Sequence, residues 1–138
     1  MDLELFRKLL HNLLTAEVII HDNDIRTLAA FEDTYCFQKA LQPMFTVNSL
    51  SYLLDSMNDT TFYEIVDKLD VCLFFFHFKK RIFRIGPYVR AEYSDEKTQN
   101  ILIENKMPAS YATSIKLYYT AMPLLSTYQI QRTVTACM

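Results

Sequence analysis

Glycine is almost missing from this chain: Gly86 is the only one in 138 residues. A chain with a single glycine cannot build a glycine-rich phosphate cradle, and neither a nucleophile-elbow G-x-S-x-G nor a zinc-binding H-E-x-x-H occurs. Nucleotide-dependent enzymes are the class this excludes most directly, and no catalysis is expected. Cysteine is sparse as well. Cys36, Cys72 and Cys137 are odd in number, far apart and outside any C-x-x-C, a pattern of reduced thiols in a cytoplasmic protein. There is no excess of one charge, since 14 basic and 16 acidic residues leave a net −2, so the overall balance gives no sign of nucleic-acid binding. The longest clean apolar run, Val71–Phe76, has six residues, far short of the ~20 that a membrane helix needs. The N-terminal MDLELFRKLLHNLL mixes acids with leucines and lacks a small-residue cleavage pattern, so no signal peptide is expected.

What the chain does have is apolar and aromatic side chains, at 51% and 14% of residues, enough for one globular domain with a sizeable core. They concentrate in a hairpin, Val71–Pro87. Val71–Phe78 is apolar everywhere except His77, the pattern of a strand covered on both faces. After Lys79-Lys80-Arg81, Ile82–Ile85 should return antiparallel, and Gly86-Pro87 is expected to end that strand.

Upstream, Leu3, Phe6, Leu9, Leu10, Leu13 and Leu14 fall at helical spacing over Asp2–Leu14. A β-branched run over Glu17–His21, a polar Asp22-Asn23-Asp24 turn and a return strand over Ile25–Ala30 follow. Irregular helix is expected from Phe31 to Met57, with a clear stretch over Ser49–Ser56, and then a strand over Thr60–Val66. Downstream, Ser94 with Asp95 and Glu96 opens a helix to about Asn105, another spans Ala109–Met122, and Ser126 with Gln129 three residues on opens a third. The chain stops at Met138 without a capping residue, which reads as an end cut from something longer. Helix, two strands, helical excursion, three strands and helices is the order of an α+β, PAS-like domain, an antiparallel sheet with flanking helices and a helical C-terminal segment; a GAF-like arrangement is the close competitor.

The stretch RIFRIGPY (Arg81–Tyr88), the helix opening at Ser94 and the Tyr118, Tyr119, Pro123 spacing carry a resemblance. Together they resemble the N-terminal sensory region of some AraC-type transcriptional regulators of Firmicutes, by motif over the second half of the chain and by layout over the first. The resemblance implies a cytoplasmic regulatory module, a homodimer with a small-molecule effector, and DNA contact only through a C-terminal domain not within these residues. On it, residues 1–122 form the sensory domain and 123–138 begin a linker helix. The paired helix-turn-helix units of such a regulator are missing here. A module that only dimerises, with a filled core and no ligand, is the alternative.

Tyr63, Phe76, His77 and Arg84 are the candidate ligand-binding residues. His77 shares a strand face with Val71, Leu73 and Phe75, where it either donates to a ligand or is a core-edge histidine with a backbone partner; Arg84, one strand over, suits an acidic ligand, or else faces solvent or meets a glutamate. The wider aromatic set of Phe74, Phe75, Phe78 and Phe83 either lines a pocket or forms plain core. His21, Asp22, Asp24 and His11 look most like metal ligands, but a turn supplies too few donors, so neither metal nor cofactor is expected. Cys72, set among phenylalanines, should be unreactive.

Overall fold

The computed structural model describes residues 2–21, 61–66 and 69–138. The expected strand Ile25–Ala30, the helical stretch around Ser49–Ser56, Asp22, Asp24 and Cys36 lie outside the described residues. Among the described residues the fold is α+β, built on a four-stranded antiparallel sheet. In chain order come α1 (Leu3–Leu14), β1 (Val18–His21), β2 (Phe62–Val66), β3 (Val71–Phe78), β4 (Arg81–Val89), α2 (Asp95–Glu104), a 3-10 turn (Ala109–Tyr111), α3 (Ala112–Thr120) and α4 (Thr127–Cys137). The sheet order is β1-β4-β3-β2, so the two longest and most apolar strands occupy its centre. None of the described helices is long and apolar enough to cross a membrane.

Helices α1, α2 and α4 begin where a side chain can take up an otherwise orphaned backbone N–H group. Asp2 accepts from Glu4 N at 2.7 Å, Ser94 from Lys97 N at 3.4 Å and Ser126 from Gln129 N at 3.0 Å. Helix α1 ends at Thr15, in the left-handed region at φ 54°, whose N–H closes onto the His11 carbonyl.

Alternation along the strands gives the sheet two chemically distinct faces. On the first, Cys72, Phe74 and Phe76 of β3 and Phe83 and Ile85 of β4 form one core with Phe6, Leu10 and Leu14 of α1 and Ile130 and Val134 of α4. The Phe76 and Phe83 rings stack at 5.1 Å, with Phe6 edge-on to Phe83 at 5.4 Å. Helix α4 is part of this core through Ile130 and Val134. A four-residue apolar repeat, Ile130 to Val134, is enough to seat it beside α1. On the second face, Val71 and Val89 pack with Leu69, Ile101 and Leu102 of α2 and Ile115 and Tyr119 of α3.

Strand β4 does not stop at Gly86-Pro87 but runs on to Val89. A proline's missing donor predicts a strand end, whereas here the proline sits in a β-bulge. Phe74 pairs with Ile85 and Cys72 with Tyr88, so two steps along β3 match three along β4. The extra residue reverses the alternation. Tyr88, which would otherwise share a face with Ile82 and Arg84, turns into the α1–α4 core, and Val89 turns toward α2 and α3. Gly86 makes this possible at φ 114°, with its N–H donating to the Glu17 carbonyl at 2.9 Å.

The turned-in Tyr88 is fully buried, and its hydroxyl donates to the Glu64 carboxylate. Burial first, and that hydrogen bond second, push the phenol well above its ordinary pKa. In the unfolded chain Tyr88 ionises near pH ~10 while in the folded chain it keeps its proton, so the unfolded state binds fewer protons above that pH. Tyr88 should therefore stabilise the fold fully below pH ~10 and lose about 1.4 kcal/mol of that for each pH unit above it. Urea melts from pH 9 to 11 should show this decline, and Tyr88→Phe should flatten it; an unchanged slope in the variant would refute it.

Candidate functional site

The candidate site is the part of the second sheet face that α2 and α3 leave to β1, β4, β3 and β2. The register sets its rows. His21 pairs with Ile82, which pairs with His77; in the next row Ile19 pairs with Arg84, Arg84 with Phe75, and Phe75 with Tyr63. Antiparallel partners and residues two apart share a face, so His21, His77, Arg84 and Tyr63 stand on one side of the sheet around Ile82 and Phe75. Arg84 lies diagonally from both histidines, at a Cα spacing of roughly 7–8 Å typical of such neighbours. The His21 ring leans across β4 to within 6.5 Å of the Phe75 ring, measured between centroids.

Among the described residues this face is apolar in its floor and basic in its polar groups. Phe75 and Ile82 are buried, and so are two polar side chains, His21 at 2% and Arg84 at 7% exposure. Arg84 donates through Nη2 to Glu17 at 2.8 Å, a bond between a buried guanidinium and a carboxylate that is itself mostly exposed. Arg84 does not face solvent, as one alternative had it; pairing with β1 and β3 buries it, and it meets Glu17, just before β1. His77 is half-buried; its Nε2 atom is fully enclosed and has no hydrogen-bond partner among the described residues. Such an atom calls for a partner of another kind, a water or a ligand.

Of the four residues expected to bind a ligand, the register brings Tyr63, His77 and Arg84 together. Phe76 is not with them. It pairs with Phe62 and Phe83 and stacks in the opposite core beneath α1, because it differs by one position from both Phe75 and His77. Phe74, Phe78 and Phe83 also belong to that packed side, so the aromatic set divides between the two faces and cannot line a single cavity. Cys72 is fully buried, its thiol directed at the Asp70 carbonyl. His11 Nδ1 lies 2.7 Å from the Ala16 carbonyl, an arrangement that needs the proton on Nδ1. Among the described residues, no three His, Cys, Asp or Glu side chains are grouped to hold a metal.

A second polar cluster was not legible in the sequence. Glu64 of β2, 17% exposed, accepts from Tyr88 and Arg90 of the β4 end and from Thr127 in the first turn of α4, with Arg90 Nη1 at 3.0 Å and Thr127 Oγ1 at 2.7 Å. One carboxylate thus ties the edge strand, the bulged strand and the last helix together. The only sequence signal was an acid inside a β-branched, aromatic run. Beside this cluster, Phe62, Tyr128, Gln131 and Arg132 border an open groove of about 420 Å³. A larger groove of about 470 Å³ between Asp70 and α2 is lined by Glu92, Glu96 and Glu104. Neither groove reaches His77 or Arg84.

No family model matches this chain, and no curated protein or solved structure matches it either.

Proposed function

We propose that this chain is the regulatory domain of a bacterial AraC-type transcription regulator, of PAS-like or GAF-like fold, acting in the cytoplasm as a homodimer that senses a small molecule. DNA is bound by a domain outside these 138 residues, and the reading includes no catalytic step and no cofactor.

The observation that carries it is the division of labour between the sheet faces. One face buries polar side chains, His21 and Arg84, with His77 beside them; the other is a closed core shared by α1 and α4. β3 and β4 contribute alternate residues to both. An effector that favours one arrangement of these strands therefore acts on the seating of α1 and α4 from behind, provided it binds that arrangement more tightly than the other. Glu64 supports the same route, since it links the sheet edge directly to the first turn of α4. A purely dimerising module is the second reading, favoured by Leu5 and Leu13 of α1, which are 59% and 56% exposed.

The test joins the whole chain, through the end of α4, to a DNA-binding domain that occupies its operator only as a dimer. Operator occupancy that rises on fusion and then changes with a metabolite extract is the expected result. Occupancy that rises but ignores every extract selects the dimerising module. No rise, with the fusion folded by circular dichroism, rules out both.

A further inference from the structure

We propose that the outer edge of β2 is a docking site for an extended segment of a partner protein, which adds a strand to the sheet and carries an apolar side chain and an acid two residues apart on the α4 side. β2 is the last strand of the sheet among the described residues, and Phe62–Val66 pair with β3 on one side only. An edge strand presents a row of backbone donors and acceptors that an added strand can take up. Alternation turns Phe62, Glu64 and Val66 toward the core of α1 and α4. Helix α4 overhangs this edge. Thr127 reaches Glu64, and in the turns that follow Tyr128, Arg132 and Ala136 border, with Phe62, the groove of about 420 Å³. A strand laid along β2, at the usual spacing of ~4.8 Å, sends alternate side chains into that groove. The Phe62 and Tyr128 rings offer an apolar anchor there, and Tyr128 is 69% exposed. Arg132 is the one cation in that wall; it is exposed and, among the described residues, meets no acid.

The usual guards of a sheet edge are weak here. Phe62–Val66 holds no lysine or proline, and its one charge, Glu64, is already engaged by Tyr88, Arg90 and Thr127. The same residue selects the occupant. A second copy pairing β2 with β2 would offer Arg132 only that engaged carboxylate, and in the register centred on it would set Glu64 against Glu64. A segment of a different protein brings an acid of its own, which suits the planar fork of Arg132. This edge lies away from His77 and Arg84, and its role stands whether or not the chain senses a small molecule.

Random peptides displayed on phage are selected against the full chain, and those recovered are synthesised and titrated calorimetrically. The expected winners are rich in β-branched residues, with an aromatic or long aliphatic residue two positions from an aspartate or glutamate. Arg132→Glu, a change at an exposed position, should weaken them at least about tenfold, and exchanging their acid for lysine should restore binding to that variant. Tyr128→Ala, exposed as well, should weaken the peptides that carry the apolar anchor. Backbone N-methylation at alternate peptide residues should abolish binding in one phase and spare it in the other, since only one edge of an added strand faces β2. Peptides that bind Arg132→Glu as well as the parent, or that tolerate N-methylation in both phases, would overturn the proposal. So would a selection that enriches nothing. A chain that forms a dimer by light scattering and loses it in Arg132→Glu would overturn it too, by giving the edge to a second copy.

Discussion

Gly86→Ala should lower the unfolding free energy by about 3 kcal/mol, seen as a large drop in denaturant midpoint at constant m-value. Two effects add. At φ 114° an L side chain is strained wherever it points, a penalty of roughly 1–3 kcal/mol. The added methyl would also sit 2.9 Å from the Cys72 carbonyl oxygen and 2.9 Å from Tyr88 Cδ1. The first of these is backbone of the central strand and cannot swing aside. Relief requires opening the bulge, and the bulge is what directs Tyr88 inward. The strained variant should therefore also lose the alkaline signature of Tyr88, because a partly exposed phenol titrates near its ordinary value. A melt within about 0.5 kcal/mol of the parent would mean that the bulge tolerates a side chain and that the account of β4 is wrong.

Glu64→Leu should cost about 3 kcal/mol, with a recognisable pattern in combination. The single change strands the buried Tyr88 hydroxyl and takes the acceptor from Thr127, while Arg90, 44% exposed at its side chain, recovers water. Tyr88→Phe alone leaves Glu64 with Arg90 and Thr127, a milder loss of about 1 kcal/mol. The double variant removes donor and acceptor together, and a core with neither group polar is nearly neutral in principle. It should thus be more stable than the sum of the single losses by about 1–2 kcal/mol, a coupling that a double-mutant cycle measures. Strict additivity would show that the contact contributes nothing beyond packing.

These features differ in how far the sequence announced them, for physical reasons. The central hairpin was legible because an uninterrupted apolar run closed by three basic residues has few other folds, and α1 because its leucines and Phe6 repeat at helical spacing. The caps at Ser94 and Ser126 were legible because capping is local. The course of β4 past Pro87 was not, since a proline inside a strand is acceptable only at a bulge, and a bulge is a property of two strands. Phe75 and Phe76 are equivalent as neighbours in a run of three phenylalanines; only the seating of α1 on one side tells them apart. Arg84 stands out by its chemistry, but its partner Glu17 is 67 positions away, brought close by the β1–β4 pairing. Glu64 carries no such signal, because an acid in a strand is ordinarily solvent-facing and only the folded chain brings a tyrosine and a threonine from two other elements to it.

The alternation on β3 and β4 has a consequence for how such a chain can change over generations. Residues 73, 75, 77, 82 and 84 belong to one face and residues 72, 74, 76, 83 and 85 to the other, with the backbone between them. A substitution at the first set rewrites the polar face without repacking the phenylalanines beneath α1, and one at the second set does the opposite. Sites with no shared partners contribute almost independently to stability. Two copies of the gene could therefore diverge in what their polar faces accept while inheriting the same helix seating, each step a single codon and none requiring a second to rescue it.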